Sequence, residues 1–185
     1  MNDHELIREI LTGDQQAIQQ LHERYVDRIF QYIYIQTNSY HDTEELLQDV
    51  FFKVARQLGQ FEGKSSFKTW IFKIARNVVI DYYRKQKKER QSISMDKDVI
   101  EHLGGKDESA EVTVLRHLHM DEILKTIDKL PSHYQAVLHL RFIEGFSTKE
   151  TADIMGKSIL SVKSTQRRAR LALSERMNME VSSHE

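Results

Sequence analysis

Apolar residues along this chain recur three and four positions apart, and no stretch sustains a period-2 alternation, so the pattern predicts an all-α protein. Residues 15–36 place Ile18, Leu21, Tyr25, Ile29, Tyr32 and Ile33 on one helical face. A helix over about 42–58 would bury Leu46, Leu47, Val50, Phe51, Val54 and Leu58. A third over about 67–90 would turn Ile71, Ile74, Ala75, Val78 and Tyr82 inward. Gly13, Gly59, Gly63, Gly104, Gly105, Gly145 and Gly156 fall between the helical segments. Between about 92 and 112 the periodicity fades into Ser, Asp, Lys and the glycine pair, which reads as a linker because a structureless stretch of that length is unusual inside a compact domain. Helices over about 113–129 and 132–144 follow, with Pro131 at a helix start where its missing N–H costs little, and two short helices close the pattern. The architecture expected is two small helical domains, 1–91 and 113–177, joined by a flexible linker over 92–112 and ending in a tail over 178–185.

Composition narrows the function classes. The 185 residues contain no cysteine, which removes disulfide frameworks, thiolate catalysis and zinc fingers together. No apolar run approaches the roughly 20 residues a spanning helix needs, and the charged N-terminus does not read as a secretory signal, so no membrane insertion and a cytoplasmic location are expected. Nine histidines include His117-Leu118-His119, but residues two apart do not share a helix face, so no metal site is expected. Without a phosphate loop, a nucleophile elbow or a convincing acid–base pair, no enzymatic activity, catalytic residue or cofactor is expected either.

A formal net charge of −1 hides blocks of opposite sign. Residues 1–58 hold ten acids against five bases, 59–91 nine bases against three acids, and 92–130 nine acids against five bases. Within 157–170 there are five bases and no acid. Two basic patches divided by an acidic spacer suit a chain that touches one polyanion at two places, although charge runs also serve simply to keep helices soluble.

Three constellations carry the candidate chemistry. Ser147-Thr148-Lys149-Glu150 is a capping box opening a helix from Thr148 to Met155, Gly156 ends it, and Ser158 can cap a basic helix over about Ile159–Met177. That is a helix-turn-helix, with Lys163, Ser164, Arg167 and Arg168 opposite the apolar side and Arg suited to bidentate contact with guanine. The alternative is an ordinary amphipathic helix with a solvated basic face. In the second constellation Lys73, Asn77, Asp81, Arg84 and Lys88 form one stripe of the third helix, with Trp70 at its edge. The loop Gly63-Lys64-Ser65-Ser66-Phe67-Lys68 lies just upstream. Bases, amides and aromatics interleaved in this way suit a single strand whose bases stack or flip out, or else Phe67 and Trp70 are core staples and the lysines are solvated. In the third, Asp42, Glu45, Gln48, Asp49 and Phe52 share an outward face, which looks like a protein-binding surface. Asp42 and Glu44 would also favour the helix dipole, a role that leaves Phe52 unexplained.

Taken in order, these motifs resemble the sigma-70 family, specifically its compact extracytoplasmic function (ECF) sigma factors, and the branch most similar is the X-type of Bacillus-like bacteria. The resemblance covers about 14–91 and 113–176. Asp42–Phe52 is similar to the family's region 2.2, Phe61–Ile71 to region 2.3, Arg76–Lys85 to region 2.4, and Leu130–Leu173 to region 4. It implies that residues 1–91 dock on the β′ clamp helices of core RNA polymerase through Asp42, Glu45, Leu46, Gln48, Asp49 and Phe52. It implies that Lys64, Ser65, Ser66, Phe67 and Lys68 hold a flipped base of the promoter −10 element, with Trp70, Lys73, Asn77, Arg84 and Lys88 completing that DNA contact. Residues 113–177 would sit on the β flap while Lys163, Ser164, Arg167 and Arg168 read the −35 element. It further implies a membrane-anchored anti-sigma factor and a cell-envelope stress signal. Thr165, Gln166 and Arg167 replace commoner residues, so base preference is not carried over, and Asp81 is expected to orient Arg84 or a tyrosine rather than meet phosphate. A stand-alone helix-turn-helix regulator is the alternative, which leaves Asp42–Phe52 and Lys64–Lys68 without a role.

Overall fold

The computed structural model describes residues 1–93 and 125–182, with side chains described through 88 in the first stretch and through 178 in the second. The chain divides into two compact units, Met1–Gly105 and Lys106–Glu185. Most of the expected linker, from 94, and the expected helix over 113–129, up to 124, lie outside the described residues.

The first unit is built from α1 (Asp3–Leu11), α2 (Gln15–Thr37), α3 (Tyr40–Gln57), a single 3-10 turn at Leu58–Gln60, and α4 (Phe67–Ile93). Helix α2 packs on α1, α3 and α4, and α3 packs on α4. The core draws Tyr25, Ile29, Tyr32 and Ile33 from α2, Val50 and Val54 from α3, and Ile71, Phe72, Ala75 and Val78 from α4, all buried. Ile18, expected on the buried face of α2, is exposed, and Ala17 takes the inward place. The inward stripe runs 17, 21, 25, 29, 32 at helical spacing, and position 18 lies a full residue's rotation off it. Leu47, Phe51 and Tyr82 are half-buried at the rim.

Helix α1 was not expected from periodicity, because its four apolar residues span too few turns to establish a period. Its signal is the cap. The Asn2 side chain accepts from the Glu5 N–H at 2.9 Å, and the Glu5 carboxylate accepts from the Asn2 N–H at 2.8 Å. Leu6 and Ile7 are buried, and Asp3 accepts from the Arg24 guanidinium and the Tyr25 hydroxyl, each at 2.5 Å, which fastens α1 to α2. Burial and that hydrogen bond to Asp3 push the Tyr25 phenol well above its ordinary range.

The second unit contains a helical turn at 125–127, then α5 (Ser132–Leu138) running into a π-helical segment at His139–Ile143, α6 (Thr148–Met155) and α7 (Ile159–Ser182). Leu130, Leu138 and Ala169 pack together with Ile127, Tyr134, Ala172 and Leu173. The buried Gln135 amide donates to the carbonyls of Asp128 and Leu130, both at 2.8 Å, and so fixes the turn ahead of Pro131. The segment expected as a tail from 178 continues α7 to Ser182, since Met177 to Ser182 contains no helix breaker.

Candidate docking face and nucleic-acid interface

Helices α3 and α4 wall a groove of about 750 Å³. Glu45, Leu46, Asp49 and Phe52 line the α3 side, and Tyr82, Arg84, Lys85, Lys87 and Lys88 the α4 side. Glu45, Gln48 and Asp49 are exposed, and Phe52 is 63% exposed with the Arg56 guanidinium 5.6 Å from its ring centre. An aromatic ring left this far in water beside acids is the feature that a solvated helix face does not require. Leu46 is only 5% exposed, so it contributes the floor under this face rather than its surface. Asp42 is half-buried, and its carboxylate accepts from the Tyr82 hydroxyl. Burial and that acidic acceptor raise the Tyr82 phenol, while Gln86 donates to the same oxygen at 2.6 Å. Asp42 is therefore first a link between α3 and α4.

Sequence reasoning missed Lys53. Asp81 lies 3.7 Å from the Lys53 ammonium and 3.8 Å from the Arg84 guanidinium, consistent with an acid that orients its neighbours. All three are substantially exposed, so these pairs set side-chain direction more than stability. A smaller hollow of about 440 Å³ beside them is lined by Lys53, Gln57, Ile74, Arg76, Asn77, Ile80, Asp81 and Arg84. Asn77 is exposed there, with Arg76 Nη1 3.5 Å from its Oδ1, and Arg76 is a second base that the stripe argument had passed over.

The loop ahead of α4 divides the expected site residues. Gly63 holds φ +70°, a left-handed turn that side chains rarely adopt. Lys64 is exposed and pairs with Glu62. Ser65 is half-buried, and its hydroxyl lies 3.4 Å from the Ser66 carbonyl. Ser66 caps α4, its hydroxyl accepting from the Thr69 N–H at 3.1 Å and meeting the Thr69 hydroxyl at 2.9 Å. Phe67 corrects the sequence expectation. It is 1% exposed, with ring centres 5.3 Å from Tyr25, 5.8 Å from Phe61 and 5.5 Å from Trp70. A ring so enclosed cannot stack on a base, and the core-staple alternative holds for it. Lys68, Trp70 and Lys73 are half-buried, and Trp70 packs 5.2 Å from Phe61.

In the second unit α6 opens on the expected box. Ser147 Oγ accepts from the Glu150 N–H at 3.1 Å, and the Glu150 carboxylate accepts from the Ser147 N–H at 2.8 Å. Gly156 ends α6 at φ +60°, and the Ser158 hydroxyl accepts from the Ser161 N–H at 3.1 Å to start α7. Val162 and Ala169 are buried while Lys163, Ser164, Arg167 and Arg168 are exposed, so the four expected residues share the outer face of α7. Gln166 is half-buried and accepts from Arg141 Nε at 3.1 Å, a contact that no sequence spacing foretells. Among the described residues no group of three or more His, Cys, Asp or Glu side chains could hold a metal ion, and no helix is long and apolar enough to cross a membrane.

A four-helix unit with adjoining acidic and basic faces, followed by a helix-turn-helix unit with a basic second helix, defines a two-module helical protein of the DNA-binding class. The model of Sigma-70 region 2 matches residues 21–89, and that of Sigma-70, region 4 matches 120–173. ECF RNA polymerase sigma factor SigX of Bacillus subtilis (strain 168) is 34% identical over 167 residues, covering 89% of this chain and 86% of the relative. The ECF RNA polymerase sigma-E factor of Escherichia coli (strain K12) is 28% identical over 184 residues, covering 96% and 95%. The sigma factor RpoE, solved with the anti-sigma factor NepR from Bartonella quintana, superposes with a TM-score of 0.68 at 25% identity, covering 87% of this chain and 96% of that one. CnrH, solved with the cytosolic domain of CnrY, shares the fold with a TM-score of 0.65 at 24% identity, covering 96% and 97%. The chain belongs to the sigma-70 family and, within it, to the ECF RNA polymerase sigma factors, the subunits that bind core RNA polymerase and direct promoter-specific initiation.

Proposed function

We propose a division of labour among the three exposed faces. The outer face of α3, through Glu45, Gln48, Asp49 and Phe52, docks on the β′ clamp helices of core polymerase, with Leu46 beneath it and Asp42 tying it to α4. Lys64, Ser65, Ser66 and Lys68 of the loop, with Trp70, Lys73, Asn77, Arg84 and Lys88 of α4, meet the −10 element as it melts, Ser66 also capping α4, while the buried Phe67 supports that loop from behind. Flipping a base from an already melting strand costs a few kcal/mol, which such a loop can offset. Helix α7 reads the −35 element through Lys163, Ser164, Arg167 and Arg168, and its unit rests on the β flap. The chain supplies recognition and carries no catalytic step of its own, acting in the cytoplasm where polymerase works.

The observation that carries this reading is Phe52, standing open on the same face of α3 as Glu45 and Asp49, on the helix next to the basic stripe. A stand-alone regulator needs α6 and α7 but has no use for that face. The solved Bartonella quintana relative with its anti-sigma factor supports an anti-sigma protein as a further partner; for that partner we propose a membrane anchor and release of this chain on an envelope signal. The test is retention of core polymerase on immobilised full-length chain. Phe52→Ala should weaken retention about tenfold, as expected for an aromatic anchor, while leaving the fold intact. Full-strength, sequence-specific binding of duplex promoter by the free chain, with no affinity for core polymerase, would transfer the conclusion to the stand-alone regulator.

A further inference from the structure

We propose that Arg141 sets the base preference of Gln166 in the recognition helix by holding its amide oxygen, which turns the Nε2 hydrogen-bond donors toward the DNA. The inference deepens the proposed contact between α7 and the −35 element and rests on it. Arg141 lies in the π-helical segment His139–Ile143, a local irregularity of the kind frequent at functional sites. Its Nε–H donates to Gln166 Oε1 at 3.1 Å, and its Nη1 donates to the Phe146 carbonyl, immediately ahead of the α6 cap at Ser147. One half-buried guanidinium therefore ties the π segment to the start of α6 and to the middle of α7.

The orientation of the Gln166 amide follows from chemistry. A guanidinium has donors and no acceptor, so the amide atom facing it must be the oxygen. The Nε2 donors are then what Gln166 brings to the cavity of about 510 Å³ that it lines with Thr148 of α6 and Lys163, Arg167 and Arg170 of α7. A glutamine with both ends available recognises adenine bidentately, accepting from N6 and donating to N7. With the oxygen turned toward Arg141, the two ends of the amide cannot both face one base, and that bidentate pairing is closed. A donor can be met in the major groove by guanine, by N7 of adenine or by O4 of thymine, but cytosine presents only the N4 donor. Gln166 should therefore reject cytosine as the read base at one −35 position and tolerate the other three.

The test is run-off transcription by holoenzyme reconstituted from the full chain and core polymerase, over templates varied one base pair at a time through the −35 element. For the wild type, one position should disfavour cytosine by about fivefold, the scale of one neutral hydrogen bond. Arg141→Met releases the amide to turn Oε1 toward N4 and should erase that penalty there alone. Gln166→Glu keeps the partner of Arg141, so the unit stays folded, yet offers acceptors in place of donors and should reverse the preference. Should both variants scale initiation equally for all four bases at every position, Arg141 is a structural brace only and the inference is overturned. If Arg168→Ala relaxes a −35 position while both Gln166→Glu and Arg141→Met leave every ratio unchanged, this inference fails alone. If the wild type ignores a scrambled −35 element, the contact beneath it fails as well.

Discussion

Replacing Phe67 separates a core role from a base-contacting one, and its size can be worked from the packing. Truncating an enclosed phenylalanine to alanine costs about 3–5 kcal/mol. The three aromatic rings around Phe67, centred 5.3 to 5.8 Å away, place it toward the upper end, because such pairs add about 0.5–1.5 kcal/mol beyond area burial. A small domain has only about 5–15 kcal/mol in hand, so Phe67→Ala should leave the first unit barely folded. Phe67→Leu is the more informative change. It keeps most of the volume, loses the ring contacts, and should cost about 1.5 kcal/mol. At about 4–8 °C per kcal/mol for a unit of this size, the midpoint should fall by roughly 6–12 °C. Trp70, the only tryptophan, lies 5.5 Å from Phe67, so its fluorescence follows the unfolding of this unit in the intact chain. Below that midpoint Phe67→Leu holoenzyme should select −10 sequences as the wild type does. An unchanged midpoint together with altered −10 selection would refute the assignment of Phe67 to the core.

Lys88, exposed on the groove, should act on phosphate: Lys88→Ala should lower the slope of log affinity of the holoenzyme against log salt by about 0.7–0.9, with sequence preference unchanged, in a filter-binding series. Burial raises the Tyr32 phenol to about 12, so the folded first unit keeps a proton that the unfolded chain releases from about pH 10; stability is intact below pH 10 and falls as pH rises toward 12. Tyr32→Phe should flatten that fall in urea midpoints taken at pH 9, 10 and 11.5, and parallel curves for both proteins would count against it. Ser147→Ala removes one half of the α6 capping box and should cost the second unit about 1 kcal/mol by calorimetry, with little change in −35 choice.

Local rules were enough where each residue's environment is set by its own helix. The stripes of α2 (Ile18 apart), α3 and α4, the Ser147 box and the Gly156 turn are legible at spacings of three and four, because a helix converts sequence spacing into direction. The rest depended on partners distant in sequence. Phe67 reads equally well as a stacking platform or a staple until Tyr25, 42 residues earlier, closes over it. Asp42 looks like part of an acidic face, but Tyr82 on the neighbouring helix holds it. Arg141 and Gln166 meet across 25 residues and through a π segment that no periodicity announces. Helix α1 was legible only through its cap, Asn2 and Glu5, which a search for apolar periods passes over.

The same unit offers acids to a protein and bases to DNA, and the length scale of screening explains how both survive. At physiological salt the Debye length is about 8 Å, less than the roughly 10 Å width of a helix with its side chains. Exposed charges on the outer faces of α3 and α4 are therefore felt largely separately by whatever approaches each. Beside the groove, where Asp81 stands within 4 Å of both Lys53 on α3 and Arg84 on its own helix, opposite signs cancel locally. The formal net charge of −1 consequently says little about affinity for a polyanion. What governs docking is the sign presented within one screening length of the approaching surface, which is set by the face a helix turns outward.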